Sequence, residues 1–113
     1  MRSTDVKQVY AEREHLSVLL SFQLVPLGIR CRMRSLFADP LQSGAGATLF
    51  TMRSGGAAGT VRYTGNVRNL TLTYTTLIEE IPGRGIVFED GIYVLSGVTD
   101  AGFNFFSAMV DVL

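Results

Sequence analysis

The chain carries very little of the chemical inventory that enzymes use. Among 113 residues there is one cysteine, one histidine and no tryptophan. A lone Cys31 excludes an internal disulfide and argues against a thiolate zinc site. His15 has no second histidine or cysteine with which to share a metal. It is also the only imidazole available to a serine or cysteine nucleophile, and no glycine elbow stands near any serine. Net charge is zero, from ten bases and ten acids, so bulk charge gives no reason to expect nucleic acid. Long apolar runs are missing too. The longest, residues 16–29, is broken by Ser17, Ser21, Gln23 and Pro26 and is too short and polar to span a bilayer. Residues 1–15 are polar and charged, unlike a secretory signal. These absences predict a protein that is not an enzyme, with no catalytic residue, cofactor, metal or membrane partner. They also predict an origin in a cytoplasm.

What is present describes a fold. The hydrophobic fraction of 47% against 18% charged excludes a wholly disordered chain. The length fits one domain with a modest core. Residues 1–15 read as an N-terminal arm, extended or partly helical: Ser3 or Thr4 is available as a cap, and Val6, Val9 and Tyr10 fall at helical spacing. Residues 16–113 read as a β-sandwich domain.

Within that domain the strand signals are dense. Residues 16–25 are an apolar run ended by Pro26 and Gly28. Residues 29–37 alternate, with Ile29, Cys31, Met33 and Phe37 on one face and Arg30, Arg32 and Arg34 on the other. Residues 47–53 and 60–64 are two strands around the glycine-rich loop that begins at Arg53. Residues 69–76 alternate leucines and Tyr74 with threonines. Ile81-Pro82-Gly83-Arg84-Gly85 reads as a turn, and Asp90-Gly91 as a hairpin between residues 86–88 and 92–95. Residues 103–112 form the last strand, after a turn over 97–102. About eight short strands with glycine-rich turns predict an all-β, antiparallel β-sandwich of jelly-roll type.

The apparent chemical motifs dissolve on inspection. Ser43-Gly44-Ala45-Gly46-Ala47 lacks the Lys-Ser/Thr of a phosphate loop and reads as a loop tip. Glu79-Glu80 and Glu89-Asp90 lack the alternating oxygen ligands of a calcium loop, and adjacent carboxylates on a strand face opposite ways. They read as solvated or arginine-paired acids. Cys31 reads as a core thiol.

Charge is balanced overall but segregated along the chain. Through Arg68 there are nine bases and four acids; beyond it there are one base and six acids. Nine of the ten bases are arginine, the residue suited to bidentate carboxylate pairs. The two halves therefore pair within one subunit or between subunits. For the stripe Arg30, Arg32 and Arg34, three readings stand: a solvated face, a carboxylate partner, or nucleic-acid phosphates. The last is the weakest, because no aromatic residues interleave with the stripe to stack bases.

One resemblance is visible. Ile81-Pro82-Gly83-Arg84-Gly85-Ile86-Val87-Phe88-Glu89-Asp90-Gly91-Ile92-Tyr93-Val94, preceded by Gly59-Thr60-Val61-Arg62-Tyr63, resembles the small β-sandwich virion proteins of tailed bacteriophages. The similarity covers residues 59–113 and is one of hydrophobics and turns. Thr64-Gly65-Asn66 replaces the Asp-Gly usual after the first of those strands, and the arm has no counterpart. The resemblance implies a structural role, as a capsid decoration or cement subunit or a small tail or neck component. It also implies a homo-oligomer, favouring a trimer, in contact with a major capsid or other virion protein. The residues expected at its interfaces are Arg2, Val6, Val9, Tyr10 and Arg13 of the arm, the stripe Arg30, Arg32 and Arg34, and the acids Glu79, Glu80, Glu89 and Asp90. Deleting residues 1–14 is expected to abolish assembly and spare the β-fold. A carbohydrate- or host-surface-binding module, using the glycine-rich loops, is the alternative.

Overall fold

The computed structural model describes residues 6–12, 21–40, 46–69, 77–96 and 103–113. They form nine strands: β1 (Val6–Glu12), β2 (Ser21–Val25), β3 (Cys31–Pro40), β4 (Gly46–Ser54), β5 (Thr60–Asn69), β6 (Leu77–Glu80), β7 (Ile86–Phe88), β8 (Ile92–Ser96) and β9 (Phe103–Val112). All described pairings are antiparallel. One sheet runs β1-β9-β3-β6, with β7 also on β3; the other runs β2-β8-β4-β5.

These orders have a simple origin. Strands β6 and β7 lie along successive parts of β3, Ser35–Ala38 and Cys31–Met33, so they are one strand interrupted once. Eight strands remain, and they pair first with last, second with penultimate, third with sixth, fourth with fifth. The chain is thus one long antiparallel ribbon, tipped by the β4–β5 hairpin and rolled into two sheets. That is the double Greek key of a jelly roll. The all-β sandwich expected from the sequence is the fold found.

Local readings fared unevenly. Of the arm expected as extended or partly helical, Val6–Glu12 is extended: it is an edge strand, with Val6 opposite Asp111 and Glu12 opposite Phe105. Val9 and Tyr10 therefore point to opposite faces, Val9 onto the core and Tyr10 outward. Removing residues 1–14 would strip Val9 and Ala11 from that core, so the β-fold is not independent of the arm. The turn expected over Ile81–Gly85 is present, with the Gly85 N–H donating to the Pro82 carbonyl at 3.5 Å, but it does not form a hairpin. It is an excursion between β6 and β7, pinned where the Ile81 N–H donates to the Arg34 carbonyl at 2.9 Å. Nor is Asp90-Gly91 a hairpin, since β7 and β8 belong to different sheets. Of the strand expected over 69–76 only Asn69 is described, and the turn expected over 97–102 lies outside the described residues, as does the loop tip at 43–45.

The core is a layer of aromatic and branched side chains between the sheets. Phe50 is 1% exposed and meets Phe103 and Phe106 edge-on, each at 5.4 Å between ring centres. Edge-to-face packing of this kind adds about 0.5–1.5 kcal/mol per pair beyond area burial. Gly65, opposite Phe50 on β5, leaves the room this ring needs: a Cβ there would overlap it. The sequence Thr64-Gly65-Asn66 is therefore mid-strand. Cys31 and Met33 face this core, as expected. Phe37 does not. In the pairing of β3 with β9, Met33 stands opposite Val110 and Ser35 opposite Met109, leaving Arg34 as an extra residue. A bulge of one residue inverts every side chain beyond it. Leu36 and Ala38 enter the core, and Phe37 turns outward.

Cys31 is fully buried, and burial pushes its thiol up to about 11. Reactivity belongs to the thiolate. At pH 8 a thiol-specific reagent should leave the folded protein unlabelled and label one site per chain after denaturation. Rapid labelling of the native protein would place Cys31 outside the core.

Candidate interaction surface

The outer face of the five-stranded sheet carries a cluster of aromatic side chains among the described residues. Three aromatic rings lie across β1, β9 and β3. Tyr10 stacks on Phe105 at 5.9 Å with an interplanar angle of 16°, and Phe37 meets Phe105 edge-on at 6.0 Å. Register explains the set. Ser107 is the cross-strand partner of both Tyr10 and Phe37, so both are diagonal neighbours of Phe105, within reach for aromatic side chains. Tyr10 remains 61% exposed and Met109 36% exposed. Beside them a shallow depression of about 150 Å³ is lined by Gln8, Ser35, Phe37, Glu80, Ser107 and Met109, together with Leu36 and Ala108.

The same face changes character towards the other end of β3. Asp111, though on the outer face, is fully buried. It accepts from Arg34 Nε at 2.6 Å and from Nη2 at 2.5 Å. Arg34 reaches it because it is the bulged residue. Arg32 stands opposite Asp111; its buried Nε and the Asp111 Oδ1 have no hydrogen-bond partner among the described residues. Arg30 pairs with Glu89 at 2.7 Å, with both side chains more than half exposed. Two of the three stripe arginines thus have carboxylate partners within the subunit, each from the acidic half of the chain. Exposed pairs such as Arg30–Glu89 contribute little, about 0–1 kcal/mol. The Arg34–Asp111 pair is different, since its loss leaves a buried carboxylate uncompensated. A fully buried pair broken this way costs about 3–5 kcal/mol. Arg34 is 41% exposed, so Arg34→Ala should cost on the order of 2 kcal/mol after solvent screening, read as a lower urea midpoint. Asp111→Asn in that background should recover part of the loss.

The remaining expected interface residues disperse. Glu79 stands opposite Leu36 on the core side, and Glu80 opposite Ser35 on the outer side. Burial, and secondarily the Glu79 carboxylate, raises the Tyr63 phenol above its usual range. Asp90 is a loop clasp. Its carboxylate accepts from the Gly28 N–H at 2.5 Å, its N–H donates to Ser54 Oγ at 3.0 Å, and its carbonyl accepts from the Gly55 N–H at 2.7 Å. Three connections, β2–β3, β4–β5 and β7–β8, are thereby tied together. Arg2 and Arg13 lie outside the described residues, and of Val6 only the backbone is described.

Sequence reasoning missed Phe37, Phe105 and Met109 on the outer face, and the burial of Asp111. One signal was available. In Met33-Arg34-Ser35-Leu36 two polar residues separate two apolar ones, which breaks strict alternation and marks a bulge. Asp111 carried no such signal, because its burial depends on Arg34 from 77 residues earlier.

No family model matches the chain, and no curated protein matches it. Among solved structures it is similar to the virus-like particle of the giant freshwater prawn Macrobrachium rosenbergii extra small virus. Identity is 5% and the TM-score 0.46, over 97% of this chain and 77% of that one.

Proposed function

We propose that this chain is a structural protein of a virion, and within that class a capsid cement or decoration subunit that works as a homo-oligomer. The observation that carries the reading is the outer face of the five-stranded sheet. A closed jelly roll has filled its interior with Phe50, Phe103 and Phe106, yet leaves Tyr10 and Met109 exposed beside Phe105 and Phe37. A contiguous aromatic surface on a rigid sheet is a docking face, where aromatic residues and methionine are enriched. The strand order supports the class, since capsid proteins are among the principal users of the jelly roll. Lectins and cupins use it as well, so the fold alone does not choose. No catalytic role is assigned to any residue. Trimers at local three-fold axes and contact with a major capsid protein belong to this proposal, and a tail or neck position is its nearest variant.

A sugar-binding module is favoured by one feature, the exposed Tyr10 beside a depression that also offers Gln8, Ser35 and Glu80. The test is electron microscopy of the purified chain, alone and with replacement of Tyr10 and Met109 by serine. Regular oligomers or shells from the wild type, lost in the variant with the β-sheet spectrum intact, are expected. Dispersed monomers that bind a glycan through Tyr10 would favour the module and overturn the virion reading.

A further inference from the structure

Four edges bound the two sheets: β1 and β6–β7 in one, β2 and β5 in the other. An open edge offers unpaired N–H and C=O groups to any extended chain, and proteins blunt edges with bulges, interruptions and covering side chains. Three of the four edges carry such a device. In β2, Gln23 pairs with Tyr93 and Val25 with Ile92, leaving Leu24 as a bulge. In β5, Tyr63 pairs with Met52 and Val61 with Arg53, leaving Arg62 over. The β6–β7 edge is broken by the excursion at Ile81–Gly85, and Arg62 Nε donates to the Val87 carbonyl at 3.1 Å from the other sheet. The edge β1 carries none. Its seven residues pair one for one with β9, it contains neither proline nor glycine, and its single lysine is its second residue. No described strand pairs with its outer side.

We propose that β1 of a second copy of this chain adds here, antiparallel about a two-fold axis, joining two five-stranded sheets into one. The inference rests on the self-assembling role proposed above and adds to it a two-fold contact, separate from the three-fold contacts of a trimer. Charge favours this direction. Lys7 lies near the start of β1 and Glu12 at its end, so an antiparallel self-pair brings unlike ends together and a parallel one brings like ends together. Pleating then restricts the register. Residues opposite one another must share a face, so the axis passes through a residue and not between two. Centring on Val9 pairs all seven residues of β1 with the seven of its copy. Val9 then faces its own counterpart, a β-branched pair continuing the core side. Gln8 of each copy lies opposite Tyr10 of the other, and the aromatic rows headed by Tyr10 meet on the outer face. The contact is isologous and closes on itself.

Cross-linking reads this register directly. Gln8 and Tyr10 are exposed, and Cys31 is buried and does not compete. Under mild oxidation, Gln8→Cys mixed with Tyr10→Cys should give covalent dimer several-fold more efficiently than either variant alone. In this register residues 8 and 10 are opposed, whereas 8 with 8 and 10 with 10 are diagonal and too far for an unstrained disulfide. Equal yields in all three samples overturn the pairing. A wild-type chain that sediments as a 12.3 kDa monomer, with no preferential cross-link, leaves the edge to a strand of another protein and also overturns it. Particles without the preferential cross-link would remove this contact and leave the virion proposal standing. The cross-link without particles would do the reverse.

Discussion

Gly91→Ala is expected to be among the most damaging conservative substitutions at the described residues. Gly91 has φ of +67°, a conformation that costs an L-residue about 1–2 kcal/mol. Space adds to strain. A Cβ at this position would lie 2.5 Å from the Pro26 carbonyl oxygen and 2.6 Å from that of Val25. Both obstacles are backbone, so neither rotates away. Relief requires moving the β2–β3 connection, which the Gly91 N–H holds through the Ile29 carbonyl at 2.7 Å. The neighbouring Asp90 clasp moves with it. The combined loss should be on the order of 4 kcal/mol, a large share of the ~5–15 kcal/mol typical of whole domains. Thermal unfolding followed by circular dichroism is the measurement. A melting temperature within a few degrees of wild type would show that the three connections are not tied as described.

Phe50→Ala should rival it by a different route. Phe50 touches three rings, Phe103, Phe106 and, at 6.2 Å, Tyr63. It comes from the middle of one sheet, beside Tyr63 of the same sheet, and meets Phe103 and Phe106 of the other, so it joins the two layers. Truncation removes its transfer free energy and leaves a cavity that Gly65, having no side chain, does nothing to fill. Phenylalanine-to-alanine changes in such sites cost about 3–5 kcal/mol. Phe50→Leu should cost clearly less, because it keeps most of the volume. Urea denaturation of the two variants checks the order. Equal losses would mean that cavity size is not what matters there.

Fold class was legible in the sequence because strand signals are local. Residues 86–88 and 103–112 stand out by alternation or by bounding glycines, and both are strands over those residues. Connectivity was not legible. Asp90-Gly91 has the composition of a two-residue hairpin, and the positive φ it promises is there. The same backbone kink serves a crossing between sheets, and only tertiary pairing separates the two uses. Leu77–Glu80 escaped notice as a strand because two of its four residues are acids. It is recruited by β3, not by its own pattern.

The site was half legible for the same reason. Arginine pairing with the acidic half inside the subunit was one of the readings the sequence left open, and Arg30 and Arg34 do pair with Glu89 and Asp111. Which face Phe37 occupies turned on one extra residue in β3. Composition does not count residues across a ladder, so the outer aromatic face emerged only with the register.

Self-assembly, on this proposal, runs through a contact of apolar side chains and backbone, while Arg30 and Arg34 are paired inside the subunit. Light scattering of the purified wild-type protein at low and at high salt tests it most directly. A defined oligomer is expected, its mass unchanged by salt, because Arg30 and Arg34 already have internal partners. A salt-independent monomer of 12.3 kDa, or an oligomer that dissolves as salt screens its charges, would contradict it.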